Sequence, residues 1–261
     1  VSSERLLSRM LDEQGSALVH HRLAQGGVRI LTRTDASRIV GRNARVRSVV
    51  AATGEELPAD LVILAKGIRP NAEVAETGGV AVGRGILVDH HMRTSRPGVF
   101  AAGDCAESPD LLAPGRRTIA GTWFEAVSQG ETAGVSLLGG SHPTLGTLKM
   151  NVMAVRGVAV ASIGMTEAPN GDGEVLVSSR DGVYRKLVIS QDRIVGAVLV
   201  GDVSEAGLIA SLIRRGLTRS ELHPIDLSRP IRYSELGLLR GVRYRDSEGR
   251  QPLSTSPPPC H

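Results

Sequence analysis

The stretch Thr94-Ser-Arg-Pro-Gly-Val-Phe-Ala-Ala-Gly-Asp104 carries the most specific pattern in this chain of 261 residues. Residues 94–98 have the composition of a turn, and the apolar run 99–102 predicts a short strand. The strand ends at Gly103 and Asp104, so a carboxylate stands at its carboxyl end. In open α/β sheets ligands bind off the carboxyl ends of strands, and a carboxylate there can accept hydrogen bonds from sugar hydroxyls. An Asp that only caps a turn would show the same local pattern.

Upstream of this stretch, helix, strand and turn signals predict an α/β unit. Residues 4–25 place leucines near one helical face and end at a Gly-Gly pair. Residues 28–31, 37–40 and 46–52 have the composition of short strands. The continuous apolar run 61–65 predicts a strand that is covered on both faces. Because the chain opens on a helix, we interpret it as the C-terminal part of a longer polypeptide, with the first strand of a βαβ unit missing.

Downstream of Asp104 the pattern changes twice. Residues 123–138 predict a helix with one side of small residues, which allows another backbone or a flat ligand to approach closely. Strands then dominate, with Gln191-Asp192 as a tight turn, and helix 204–215 completes a separate α+β unit. The predicted strands span 150–155, 158–165, 174–178, 184–190 and 193–200. The tail from about residue 246 has the composition of a disordered segment.

Composition argues against several classes of protein. No run of 18 apolar residues predicts a membrane span, and two cysteines do not make a disulfide scaffold. The net charge is +4, but the arginines are interspersed with acids and only 2 % of residues are aromatic, so we do not expect nucleic-acid binding. No basic and then apolar leader is visible, so we expect a cytoplasmic protein.

Four stretches, in this order, resemble segments of the pyridine nucleotide–disulfide oxidoreductase superfamily, whose members have two dinucleotide-binding domains. Residues 55–71 resemble the segment where the NAD(P) domain returns the chain to the FAD domain, and residues 94–104 resemble the second flavin-binding motif. Residues 123–134 resemble the helix that points at the isoalloxazine ring. Residues 148–222 resemble the C-terminal domain of NADH:rubredoxin reductase-like and nitrite-reductase-like members.

The resemblance covers about residues 1–225 and implies an α/β fold class. The chain would be an incomplete two-dinucleotide-binding-domain (FAD/NAD(P)) flavoprotein fold followed by a small α+β C-terminal domain. The implied regions are 1–67 (second half of the NAD(P)-binding domain), 68–145 (C-terminal part of the FAD-binding domain), 146–225 (α+β interface or C-terminal domain) and 226–261 (a partly disordered tail). The family's two Gly-rich phosphate loops are not found, since Gly83-Arg-Gly85 has Val88 where G-x-G-x-x-G needs its last glycine.

The resemblance implies which residues contact FAD. Asp104 would bind the ribityl or pyrophosphate part, and Gly103 would allow that group to come close. The predicted helix begins at Trp123, and its first N–H groups, near Glu125 and Ala126, would face the N1–C2=O edge of the flavin. The positive end of a helix macrodipole stabilises the negative charge that reduction places at that edge.

The resemblance also implies a nicotinamide side of the site. Gly67 would lie near the nicotinamide of NAD(P)H, and Arg69 and Pro70 would shape the crossover between the domains. A surface salt bridge is the alternative interpretation of Arg69. Lys66 is unusual for the family, which has a small or apolar residue at this point, and the sequence offers no reason for it.

The implied activity is hydride transfer from nicotinamide to flavin N5, followed by electron transfer to an acceptor. The acceptor would be a rubredoxin-like iron protein, a further redox domain or oxygen, and the C-terminal domain would either form a homodimer interface or cover the flavin. Because the cofactor performs the chemistry, we predict no catalytic acid or base and no metal site. The competing hypothesis is a non-enzymatic dimerisation or docking module that does not bind FAD alone. A stand-alone NAD-binding regulator is a third hypothesis, which Gly103-Asp104 together with the helix disfavours.

Overall fold

The structure is a computed structural model that describes residues 1–235. The helices are α1 (Glu13–Gln25), α2 (Glu73–Thr77), α3 (Trp123–Leu137) and α4 (Ala206–Arg215). The strands are β1 (Ala36–Arg42), β2 (Arg45–Ala51), β3 (Glu56–Pro58), β4 (Ile86–Leu87), β5 (Ala106–Pro109), β6 (Arg117–Thr118), β7 (Met150–Val155), β8 (Val158–Gly164), β9 (Glu174–Arg180), β10 (Val183–Ser190) and β11 (Arg193–Val200). Within the described part of the chain, no helix is long and apolar enough to span a membrane.

A five-stranded antiparallel sheet, in the order β7-β8-β11-β10-β9, forms the best-packed part of the chain. Its central hairpin turns at Gln191 and Asp192, both of which have left-handed backbone angles (φ 48° and 61°), as a two-residue type I′ turn requires. Helix α4 covers one face, where Leu187 and Leu199 of the sheet share a core with Leu208. The predicted α+β unit is therefore confirmed, with strand ends within two residues of those predicted from the sequence.

Helix α1 covers the opposite face of the same sheet. Its side chains Val19 and Leu23, together with Leu11 just before the helix, pack against Val160 and Val198. The sheet therefore lies between α4 and a helix from the N-terminal unit of the chain. This packing joins the predicted nucleotide-binding unit to the C-terminal unit.

A partly buried cluster of hydrogen bonds reinforces the contact between α1 and the sheet. Asp12 is the N-cap of α1, and its carboxylate accepts hydrogen bonds from the Gly15 N–H (3.0 Å), the Tyr184 hydroxyl (2.5 Å) and the Lys186 ammonium (2.9 Å). Burial alone would raise the pKa of Asp12, but the hydrogen bonds from Tyr184 and Lys186 outweigh it and hold the pKa below its usual value. Burial and the neighbouring carboxylate raise the pKa of the Tyr184 phenol.

Replacing Asp12 with Asn is expected to lower the free energy of unfolding at pH 7 by about 2 kcal/mol, since a charged acceptor of two side-chain donors is lost. Asn still caps the helix. A carboxyl whose pKa is depressed by folding stabilises the protein above its unfolded pKa of about 3.9, and that contribution disappears as the pH falls through the folded pKa. The difference between wild type and Asp12→Asn should therefore narrow below about pH 4 in urea denaturation. A difference that is the same at pH 7 and pH 3 would contradict the assignment.

The N-terminal region differs from the prediction in two places. The predicted helix 4–25 begins only at Glu13, because Leu7 has a left-handed backbone angle (φ 51°) and Asp12 caps the helix. The predicted strand 28–31 forms no ladder with any described residue and is not a strand. The next two predicted strands are confirmed as β1 and β2, which form a small antiparallel sheet with β3.

The apolar run 61–65 is the largest error of the sequence-based prediction. It forms no strand, and Leu61, Ile63 and Leu64 are 76 %, 79 % and 72 % exposed. A strand that is apolar on both faces is stable only between neighbouring strands and covering layers. The preceding strand β3 pairs with β2, and within residues 1–235 no strand pairs with this run.

The middle unit is less regular than predicted. The run 99–102 is extended, but it does not form the predicted strand. Its β-pairing consists of one isolated bridge between Phe100 and Arg93. Strand β5 forms instead after Asp104 and pairs in parallel with β4. At the C-terminal side, Leu227 and Ile231 belong to the core of the large sheet, beyond the predicted boundary at residue 225. The predicted disordered tail from residue 246 lies outside the described residues.

Candidate functional site

Asp104 lies in a single turn of 3₁₀ helix, Gly103–Cys105, between the extended segment 99–102 and strand β5. Its side chain is exposed, and no described residue donates a hydrogen bond to its carboxylate. The N–H of Gly103 donates to Oε1 of Gln129 in α3 (2.8 Å). The turn that carries Asp104 is thus fixed to the flank of α3.

The close approach between this turn and α3 depends on Gly103. Its backbone is left-handed (φ +78°), and a Cβ at this position would lie 3.3 Å from the Cβ of Ala126. Gln129 completes the contact by donating to Oγ1 of Thr147 (3.0 Å), which in turn is hydrogen-bonded to the Ser108 hydroxyl (2.6 Å). Sequence reasoning missed Gln129, although a long polar residue within a helix of small residues was a usable signal.

The N-terminus of α3 is open. Thr122 is its N-cap in an extended conformation and makes no side-chain capping bond. The N–H of Ala126 donates to the Thr122 carbonyl (3.0 Å), whereas the N–H groups of residues 123–125 have no acceptor in the described part of the chain. Of the two N–H groups that the resemblance places at the flavin, that of Ala126 is therefore satisfied within the helix, and that of Glu125 is free. Three free N–H groups and the positive end of the helix macrodipole can bind a carbonyl or anionic oxygen.

The crossover segment passes beside this helix end. A Cβ on Gly121, just before the N-cap, would lie 3.4 Å from Cδ1 of Ile68. Gly67 is left-handed (φ +95°), and a Cβ added there would meet no atom within 4 Å, while Pro70 is half-buried. Arg69 is exposed and forms no salt bridge with any described residue. The alternative interpretation of Arg69, a surface salt bridge, therefore gains no support.

Lys66 has a structural explanation that the sequence did not provide. Its ammonium lies 2.6 Å from Oδ1 of Asp35, which precedes β1. The hydrogen bond from Lys66 lowers the pKa of the Asp35 carboxyl. Both side chains are exposed, so this pair contributes little to stability. It ties the crossover segment to the small antiparallel sheet.

An ion pair between a buried carboxylate and a half-buried guanidinium links the first turn of α3 to the C-terminal unit. Glu125 is 4 % exposed, and its carboxylate pairs with the guanidinium of Arg214 in the last turn of α4. The same guanidinium carbon lies 5.6 Å from the centre of the Phe124 ring, within the range of a cation–π contact. Sequence analysis selected Glu125 but not Arg214, which is 89 residues away along the chain.

A second feature is a cavity of about 400 Å³ between the middle unit and the large sheet. Its lining includes Arg84, Arg116, Arg117, Lys149 and Asp110. The Arg117 guanidinium donates to the carbonyls of two residues of the middle unit (2.5 and 3.1 Å), so its position is fixed. Arg116 and Lys149 form no ion pair within residues 1–235. The cavity therefore has an excess of positive charge.

Comparison with known proteins relates these units to two families. Residues 2–130 match the family described as pyridine nucleotide-disulphide oxidoreductase. Residues 150–217 match the family described as rubredoxin NAD+ reductase C-terminal domain. The two matched regions correspond to the N-terminal and middle units and to the large sheet with α4.

Individual relatives and solved structures agree with these matches. The chain is 32 % identical over 229 residues to a nitrite reductase [NAD(P)H] of Bacillus subtilis, covering 87 % of this chain and 27 % of that protein. A NAD-dependent persulfide reductase from A. fulgidus superposes with a TM-score of 0.78 at 30 % identity, covering 88 % of this chain and 46 % of that one. A FAD-dependent pyridine nucleotide-disulphide oxidoreductase from Desulfovibrio vulgaris superposes with a TM-score of 0.73 at 25 % identity, covering 84 % and 58 %. The chain thus spans about a quarter to somewhat over half of the length of these proteins.

Proposed function

We propose, from the premise that this chain belongs to the pyridine nucleotide-disulphide oxidoreductase family, that it works in an FAD-dependent NAD(P)H oxidoreductase. The observation that carries the proposal is the contact between Gly103 and Ala126. It brings the free carboxylate of Asp104 beside the open N-terminus of α3.

The residues present fit a flavin nucleotide. Asp104 offers acceptors for the hydroxyls of a ribityl chain, and the N–H groups of residues 123–125 offer donors for the N1–C2=O edge. A side chain at Gly103 would press on Ala126 (3.3 Å) and would need a left-handed backbone, so glycine lets the turn lie close to α3 without strain. No Gly-rich phosphate loop is found in the chain, so the contacts assigned here are those to the flavin side of FAD.

A bound flavin, held by Asp104 and the N-terminus of α3, would supply hydride acceptance from nicotinamide and onward electron transfer, and the protein supplies position and electrostatics. Asp104 binds and orients the hydroxylated chain. The N-terminus of α3 stabilises negative charge at the N1–C2=O edge. Gly67, Arg69 and Pro70 flank Ile68, which approaches Gly121 next to the same helix end, and in this assignment they take the nicotinamide side. In this assignment residues 1–67 belong to the NAD(P) domain, and residues 68–145 belong to the FAD domain.

The cavity lined by cationic side chains is suited to binding the protein that accepts the electrons. A small redox protein with acidic side chains would find unpaired positive charge at Arg116 and Lys149. Complementary charge of this kind raises association rates and orients the partner. The match of residues 150–217 to a rubredoxin NAD+ reductase domain supports an acceptor of the rubredoxin type.

Titration of the purified chain with FAD tests the proposal. We expect perturbation of the flavin absorption bands and quenching of flavin fluorescence. Replacing Asp104 with Ala should weaken binding by roughly 10- to 150-fold, because a hydrogen bond to a charged group contributes about 1.5–3 kcal/mol. Asp172→Ala, at an exposed carboxylate in the loop between β8 and β9, is the matched control and should bind like wild type.

Two results would count against the proposal. If Asp104→Ala and wild type bind FAD equally, the flavin contact is misplaced. If the wild-type chain leaves the flavin spectrum unchanged while remaining folded, the result supports the competing hypothesis, a docking or dimerisation module that does not bind FAD alone.

A further inference from the structure

The start of α3 carries the sequence pattern of a closed helix cap. Thr122 at the N-cap and Glu125 three residues later form the T-x-x-E pattern of a capping box. In a closed box the Thr hydroxyl accepts from the N–H of the third helical residue, and the Glu carboxylate accepts from the N–H of the N-cap. Both donors are then satisfied inside the helix and are no longer available to a ligand.

The structure holds this box open. Thr122 makes no capping bond, and the carboxylate of Glu125 is turned to Arg214 instead. Arg214 belongs to α4, in the C-terminal unit, and its contact with the Phe124 ring fixes the guanidinium on this side of α3. The carboxylate that would close the box is therefore paired with a residue of the C-terminal unit.

Charge balance leads to the same conclusion. A buried carboxylate in the first turn of α3 would offset the positive end of the macrodipole and repel further negative charge. The guanidinium of Arg214 neutralises Glu125 at contact distance. The helix end therefore keeps both its free N–H groups and its positive field.

We propose that Arg214 is a positioning residue that keeps the N-terminus of α3 open by holding the carboxylate of Glu125 away from the N–H of Thr122. Its consequence for flavin rests on the proposed function, whereas the opening of the cap does not. Through this pair, docking of the C-terminal unit prepares the flavin-facing helix end. Loss of Arg214 lets the capping box close, and the box then competes with the cofactor.

Amide hydrogen exchange on the ligand-free chain tests the cap directly. In wild type the amides of Thr122 and Glu125 should exchange rapidly. In Arg214→Met, which keeps the aliphatic stem but removes the charge, both should become protected by about tenfold. In the double variant Arg214→Met/Glu125→Ala the protection at Thr122 should disappear again. Equal exchange at Thr122 in all three proteins would overturn the proposal.

Measurement of FAD affinity and of the flavin midpoint potential provides a second test of the role of Arg214. We expect Arg214→Met to weaken FAD binding by about tenfold and to lower the flavin midpoint potential, and the double variant to recover affinity to within about threefold of wild type. An arginine that only stabilises the interface would leave the double variant as weak as the single one. If the wild-type chain binds no flavin, the proposed function fails, and the exchange arm alone decides the role of Arg214.

Discussion

Replacing Glu205 with Ala is expected to lower the free energy of unfolding by about 3–5 kcal/mol, because it leaves the buried Arg185 without its counter-charge. The two residues are only 4 % (Arg185) and 5 % (Glu205) exposed. The Glu205 carboxylate accepts from Nε of Arg185 (2.5 Å) and from the N–H of Ile231 (2.9 Å). In Glu205→Ala the Arg185 guanidinium keeps only its hydrogen bond to the Leu227 carbonyl (2.9 Å), which does not replace the lost counter-charge, so the cost of desolvating the cation remains.

Urea denaturation followed by far-UV circular dichroism measures the change. The control is the double variant Arg185→Met/Glu205→Leu, in which both charges give way to apolar side chains of similar length. Replacing both members of a buried ion pair costs much less than breaking it, so the double variant should be more stable than Glu205→Ala. A loss below about 1 kcal/mol in Glu205→Ala would show that the pair is solvated in solution.

The same carboxylate has a consequence for the candidate site. Glu205 is the N-cap of α4, and Arg214 lies in the last turn of that helix. The hydrogen bond from Ile231 to Glu205 also holds the following segment against the sheet. Glu205 thus fixes the start of the helix whose other end reaches α3. Anchoring of α4 and opening of the α3 cap are therefore parts of one connected arrangement.

The strands of the large sheet could be predicted from the sequence because the patterns that define them lie within short, neighbouring stretches of the chain. Antiparallel neighbours in chain order are joined by short turns, and alternation along each strand identifies the buried face. Gln191-Asp192 fixes the register of the central hairpin through its left-handed turn. No knowledge of distant residues was needed for these elements.

The apolar runs 61–65 and 99–102 could not be predicted in the same way. Their apolar composition indicates that these residues favour burial. It does not indicate which other residues would cover them. Strand formation needs partners that are remote in sequence, and residues 61–65 find none within residues 1–235. The hydrophobic pattern was identified correctly, and the inference from pattern to strand was wrong.

In the candidate site, too, residues that are neighbours in sequence could be predicted, whereas contacts between distant residues could not. Gly103 and Asp104 stand in one contiguous motif, so sequence reasoning found them together. Gln129 and Arg214 reach the site from 26 and 89 residues away, from their partners Gly103 and Glu125 respectively. The T-x-x-E pattern signals a helix start but not that a distant arginine holds the cap open.

Replacing Gly196 with Ala is expected to lower the free energy of unfolding by more than about 3 kcal/mol. Gly196 lies in β11 opposite Gly164 at the end of β8. A Cβ at Gly196 would lie 1.7 Å from the carbonyl oxygen of Met165 and 2.5 Å from its carbonyl carbon. No rotamer relieves this clash, since the Cβ position is fixed by the backbone and the opposing atoms are backbone too.

Gly207→Ala is the matched control, because it adds the same methyl group at an exposed position of α4, the helix that covers the same sheet. Apart from the backbone of α4 itself, the one described atom within 4 Å of that Cβ is the Tyr233 hydroxyl oxygen at 3.6 Å. Removing the backbone freedom of glycine should therefore stabilise the helix by about 0.5–1 kcal/mol. In urea denaturation, the free energy of unfolding is expected to fall in Gly196→Ala and to rise in Gly207→Ala. Since Gly164 and Met165 also line the cation-rich cavity, the strand shift that accommodates a methyl group at Gly196 would move the cavity wall relative to Lys149. Equal stability of the two variants would show that β11 does not pass Met165 at this distance.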